Sequence, residues 1–120
     1  PGYRRIRIEP HVVRDLEFAS GSLDTVRGRI SCAWSRSGDS LRMEVTIPVG
    51  STAEVVIPES RLEEVSVEEG GRVVWQGGTF RPGAPGVTGA RGAVTGARES
   101  NTAVMLEIGS GTYVFERKGR

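Results

Sequence analysis

The sequence predicts an all-β domain: an antiparallel, jelly-roll-like β-sandwich of about eight strands with one long Gly/Ala/Arg-rich loop. Three observations predict it. Apolar and polar residues alternate in run after run, and a period of two sends successive side chains to opposite faces of a sheet. Glycine, 17 of the 120 residues, clusters between those runs, where turns need positive φ. No stretch carries helical periodicity of useful length.

Residues 3–9 read as the first strand, with Ile6 and Ile8 inward and Pro10 as its stop, because proline cannot donate to a ladder. Residues 11–15 are a connector. Residues 16–20 form a second strand, which Gly21 breaks or bulges before 22–26 continue. The centre of the chain is a long antiparallel hairpin. In 27–36, Ile30, Cys32 and Trp34 alternate with Arg29, Ser31, Ala33 and Ser35. After a turn at Ser37-Gly38-Asp39, Leu41, Met43, Val45 and Ile47 alternate with Arg42, Glu44 and Thr46. A lone hairpin is marginal in water, so the remaining strands are expected to cover its apolar side.

Residues 51–57 follow, with Ala53, Val55 and Ile57 in phase and Pro58 as the stop. Residues 59–64 are a short helical turn or a charged loop. A strand over 64–68 points Val65 and Val67 inward. Gly70-Gly71 is a strong turn signal. Residues 72–76 return with Val73 and Trp75 on one side and Val74 on the other. Residues 103–108 and 112–116 read as a final pair joined at Gly109-Ser110-Gly111. The segment 77–101 is poor in large apolar residues and contains the echo Val-Thr-Gly-Ala-Arg at 87–91 and 94–98. It reads as a flexible surface loop; the sharper alternative is an arm that contacts a neighbouring domain or substrate.

Length allows one domain, 1–120, and excludes two cores. The net charge is +1 with arginine and glutamate interleaved, which does not supply the one-signed stripe and stacking rings of a nucleic-acid binder. The tight cluster Arg4, Arg5 and Arg7 reads as the wet face of the first strand. No apolar run reaches membrane-spanning length. The single cysteine, Cys32, excludes an internal disulfide and reads as a buried thiol. The chain opens on Pro1-Gly2-Tyr3 without an initiator methionine, as expected of a processed product or a piece of a longer chain.

Glycoside hydrolysis normally needs two carboxylates facing each other across a cleft. Glu63-Glu64 and Glu68-Glu69 are adjacent pairs that read as solvated charge. His11 stands alone beside Pro10, without a nucleophile at meaningful spacing. No cluster has metal-ligand spacing, and Gly109-Ser110-Gly111 lacks the Lys-Ser/Thr of a phosphate loop. No catalytic residue, metal ligand or cofactor is therefore assigned. Two residues remain as candidate sugar or interdomain contacts. Trp75 is either core or a surface platform for the apolar face of a sugar. Asp24, in a segment with Ser20, Ser22 and Thr25, is either such a contact, a turn cap, or a partner of Arg27 or Arg29. Trp34, in phase with Ile30 and Cys32, reads as core.

The chain resembles the C-terminal β-domain of bacterial α-L-rhamnosidases, the inverting glycosidases of family 78. Three groups of residues carry the resemblance. Pro1-Gly2-Tyr3-Arg4-Arg5-Ile6-Arg7-Ile8-Glu9-Pro10 looks like the strand that follows the family's catalytic barrel. Ala19-Ser20-Gly21-Ser22-Leu23-Asp24-Thr25, then Gly28-Arg29-Ile30 and Trp34, looks like its central hairpin. Val45-Thr46-Ile47-Pro48, Thr52 through Pro58 and Ile108 through Phe115 look like its closing strands. The chain departs from the family pattern at Leu23, Val26-Arg27 and Gly50, and 77–101 is longer than the usual connection.

The resemblance implies two antiparallel sheets packed beside an (α/α)6 barrel, which would be this domain's partner. It implies that the acid and base glutamates, and most contacts to rhamnosides, lie in that barrel and map onto no position here. The expected function is that of an accessory domain whose parent removes terminal α-L-rhamnose with inversion, in the bacterial cytoplasm or secreted with the parent. The 120-residue chain alone is expected to be inactive. Two other readings stay open: an independent carbohydrate-binding module, and a structural or adhesion domain that binds a protein.

Overall fold

In a computed structural model, the described residues are 4–8, 18–25, 28–58, 60–94 and 102–119. They form eleven strands: β1 (Arg4–Ile8), β2 (Phe18–Thr25), β3 (Gly28–Ser37), β4 (Ser40–Ile47), β5 (Ser51–Ile57), β6 (Ser66–Glu69), β7 (Arg72–Gln76), β8 (Thr79–Phe80), β9 (Val87–Val94), β10 (Thr102–Ile108) and β11 (Gly111–Lys118). A four-stranded sheet has the order β1-β5-β10-β9, and a seven-stranded sheet the order β2-β3-β4-β11-β6-β7-β8. Pairing is antiparallel except for β1, which runs parallel to β5.

The central hairpin has the expected form. Ser37 pairs with Ser40 around Gly38-Asp39, with Gly38 at φ 58°. Leu41, Met43, Val45 and Ile47 are buried, while Arg42 and Glu44 are exposed. Val55, Ile57 and Leu106 of the smaller sheet share one core with Met43, Val45 and Phe115 of the larger. Burying such side chains stabilises by about 1.5–3 kcal/mol each. Alternation therefore specifies both the strands and the face each sheet turns to its partner.

Several expectations need correction. Gly21 neither breaks nor bulges β2, which pairs continuously with β3 from Phe18 to Thr25. Not every pairing is antiparallel, because the chain leaves β1, builds three strands of the other sheet, and returns to lay β5 along β1 in the same direction. The segment 77–101 is not one loop: 79–80 and 87–94 are strands, and β9 pairs with β10 along its length. Residues 95–101 lie outside the described residues. The small side chains of β9 have a packing reason, since a Cβ on Gly92 would lie 2.3 Å from Leu62 Cδ1. Residues 61–64 make a turn, with Glu64 and Val65 donating to the Arg61 carbonyl.

Alternation places Val74 on the face opposite Trp75, yet both are buried. Val67 pairs with Trp75 and Glu68 with Val73, so Val74 is the extra residue of a bulge. Such a bulge re-aims a side chain. Residues 103–108 and 112–116 are not a hairpin either. β10 belongs to the smaller sheet and β11 to the larger, where it pairs with β4 and β6. The link Gly109-Ser110-Gly111 is a corner between sheets. The Tyr113 hydroxyl donates to the carbonyls of Gly109 and Ser110 at 3.0 and 3.2 Å. Gly86, at φ 82°, packs against the same phenol, and its carbonyl accepts from Gly109 N–H.

Candidate functional site

The outward face of the seven-stranded sheet collects polar side chains from strands far apart in sequence. Register pairs Ser22 with Ser31, Ser31 with Thr46, and Thr46 with Thr112, so these four residues stand in single file across β2, β3, β4 and β11. The row beside it holds Ala33, Glu44 and Val114. The next holds Ser35, Arg42, Glu116 and Glu68. These are the wet residues of alternating strands, placed outward because their neighbours fill the core.

A shallow depression of about 300 Å³ lies over the first two rows, lined among others by Ser22, Ser31, Thr46, Thr112 and Glu44. The Thr46 and Thr112 hydroxyls are 3.4 Å apart. Arg42 donates to Glu44 at 2.9 Å, which orients the carboxylate and cancels its charge. A second hollow of about 230 Å³ is lined by Glu68, Gly70, Gly71, Val114 and Glu116. There Lys118 sits 2.9 Å from Glu68. The hydrogen bond and charge of Glu68 hold the ammonium above its ordinary pKa.

Among the described residues, Glu68 and Glu116 are cross-strand partners that line the smaller hollow together. Glu44, Glu64 and Glu68 pair with Arg42, Arg61 and Lys118 on the surface. Glu54 is buried and lies 3.5 Å from Arg91. It stands between Ala53 and Val55, which face the core, so it points to the other side of the smaller sheet. Among the described residues, no group of three or more His, Cys, Asp or Glu side chains could hold a metal ion.

The residues singled out from sequence are scattered. Trp75 is 3% exposed, and its indole N–H donates to the Leu62 carbonyl at 2.8 Å. Its ring faces are packed rather than open. Asp24 lies on β2 opposite Arg29, two residues along the strand from Ser22; its side chain is outside the described residues. Trp34 is in the core. Cys32 is half-buried rather than buried, and that partial burial pushes its thiol above its ordinary pKa. His11 lies outside the described residues. The hydroxyl row escaped sequence reasoning, since four common polar residues spread from 22 to 112 carry no local signal.

The chain is similar in sequence and fold to known proteins. The family model described as bacterial alpha-L-rhamnosidase C-terminal domain matches residues 1–72. An alpha-L-rhamnosidase of Alteromonas sp. (strain LOR) is 36% identical over 58 residues, which is 48% of this chain and 6% of that protein. One from Formosa agariphila is 34% identical over 67 residues, 56% of this chain and 7% of that protein. The solved structure of alpha-L-rhamnosidase from Dictyoglumus thermophilum superposes with a TM-score of 0.69 and 25% identity, over 93% of this chain and 11% of that one. The chain thus corresponds to a small fraction of the length of each.

Proposed function

The chain belongs to the bacterial alpha-L-rhamnosidase C-terminal domain family, and from that premise we propose that it is the non-catalytic accessory β-domain of a longer α-L-rhamnosidase. Its two sheets form a jelly-roll-like sandwich that braces and covers the parent's catalytic (α/α)6 barrel. The parent removes terminal α-L-rhamnose by attack of water with inversion, using glutamates outside these residues. The observation that carries this reading is the joint match: the family model over 1–72, and a common fold over 93% of the chain with a rhamnosidase of which it covers 11%. The ion pairs of Glu44, Glu54, Glu64 and Glu68 with basic neighbours agree with it. A rigid body whose strands share one core suits bracing.

The test is hydrolysis of an aryl α-L-rhamnoside. The isolated chain is expected to stay at blank, and a full-length rhamnosidase carrying this domain to turn over and lose thermal stability when the domain is deleted. Turnover by the isolated chain overturns the proposal.

A further inference from the structure

We propose that the depression on the outward face of the seven-stranded sheet binds one neutral monosaccharide unit through the hydroxyl row Ser22, Ser31, Thr46 and Thr112 and the Glu44 carboxylate. The inference stands on the chemistry of that surface and does not need the rhamnosidase reading. Its volume, about 300 Å³, is at the lower end of small-ligand sites, about 300–1,000 Å³. Neighbouring strands are about 4.8 Å apart, so the four hydroxyls span about 14 Å; one sugar ring is shorter than the row and bridges neighbouring hydroxyls, with Ser31 and Thr46 at its centre.

The side chains select the ligand class. Each Ser or Thr hydroxyl can donate one hydrogen bond and accept two, as each hydroxyl of a sugar can. The row therefore matches a ring of hydroxyls in either direction of donation. Glu44 adds an acceptor-only carboxylate, fixed 2.9 Å from Arg42, and hydrogen bonds to charged groups are the stronger ones. The Arg42–Glu44 pair is neutral as a unit, so it favours neither a phosphate nor a cation. Ala33, opposite Glu44 in the neighbouring row, keeps the floor low. Neither tryptophan reaches this face, because Trp34 and Trp75 are both in the core. None of the described side chains that line the depression is aromatic, so binding rests on hydrogen bonds that replace those to water. The expected affinity is millimolar.

The experiment is an amide chemical-shift titration of the 120-residue chain with L-rhamnose, with D-glucose and, as a small polyol control, with glycerol. Saturable shifts at Ser31, Ala33, Thr46 and Thr112 with at least one sugar, and not with glycerol, support the proposal. The double variant S31A/T46V removes two hydroxyls from exposed strand faces and is expected to weaken binding about tenfold. T88V, on the other sheet, should leave binding unchanged; an unchanged amide spectrum away from the row verifies the fold of each variant. Shifts that rise linearly and alike for glycerol and both sugars overturn the proposal, as does saturable binding that S31A/T46V leaves intact. Glucose binding without rhamnose binding keeps the site and says nothing against bracing. Hydrolysis by the isolated chain would end the accessory reading and leave the site standing.

Discussion

Removing the Tyr113 hydroxyl and adding a methyl group at Gly86 disturb one contact from its two sides, so their effects should not add. Tyr113→Phe deletes the donor that holds the Gly109 and Ser110 carbonyls. A buried hydrogen bond of this kind is worth about 1–1.5 kcal/mol. Unfolding entropy of about 2.1 cal/mol/K per residue converts that to roughly 4–6 °C of Tm for a chain this long. Gly86→Ala costs more. At φ 82° an alanine is strained, by about 1 kcal/mol. Its Cβ would lie 2.2 Å from the phenol oxygen and 2.9 Å from two ring carbons. The ring has little room to retreat, being 4% exposed and stacked 5.8 Å from Phe115, and overpacking of this sort costs about 1–3 kcal/mol. The pair together should be less destabilising than the sum of the singles by about 1 kcal/mol, because Phe at 113 removes the atom nearest the new methyl. Urea unfolding of the four proteins, followed by tryptophan fluorescence, measures the cycle. Additivity within about 0.5 kcal/mol, or a silent Tyr113→Phe, would refute the clamp.

Four further outcomes are expected. Burial, and to a lesser degree the charge of Glu69, hold the Tyr113 phenol above its ordinary pKa of 10.0. The folded state thus retains this proton after the unfolded chain has lost it, so stability should be steady below pH 10 and fall as pH rises through the folded value, a decline that Tyr113→Phe flattens in urea titrations at pH 9–11. Gly92→Ala should cost about 1–2 kcal/mol by pushing on Leu62, and Leu62→Ala in the same chain should recover part of it in thermal melts. Arg117 is buried, with its guanidinium donating to the carbonyls of Pro58 at 2.6 Å and Asp39 at 3.2 Å; Arg117→Met should cost about 2–3 kcal/mol by equilibrium unfolding. Cys32 should react with iodoacetamide at pH 7.5 more slowly than a free thiol, with equality in quenched mass spectrometry counting against its burial.

What could be read in advance follows from what side-chain parity encodes. Alternation at Leu41, Met43, Val45 and Ile47 fixes a strand and its inner face, and both are as expected. Parity carries no information about partner or direction, so the parallel pairing of β1 with β5 left no trace in the residues. It is equally silent on which sheet a strand joins. Gly109-Ser110-Gly111 has the composition of a hairpin turn, and only the bonds made by Tyr113 distinguish a corner. β9 was hidden for a different reason. Its Gly, Ala and Arg residues lack strand propensity, and its place at the edge of the smaller sheet is set by the β10 ladder and by room for Leu62. Alternation puts Val74 on the face opposite Trp75 because parity is blind to the bulge, which changes the phase by one residue. The hydroxyl row of the proposed site becomes a unit only through three registers.

β11 is the fourth of seven strands in its sheet, although it is the last of the eleven described. Without β11, β2-β3-β4 and β6-β7-β8 have no ladder between them. Synthesis order and assembly order are thus opposed: the domain can close only after its final stretch clears the ribosome tunnel, and until then both inner edges are open to chaperones or to neighbouring chains.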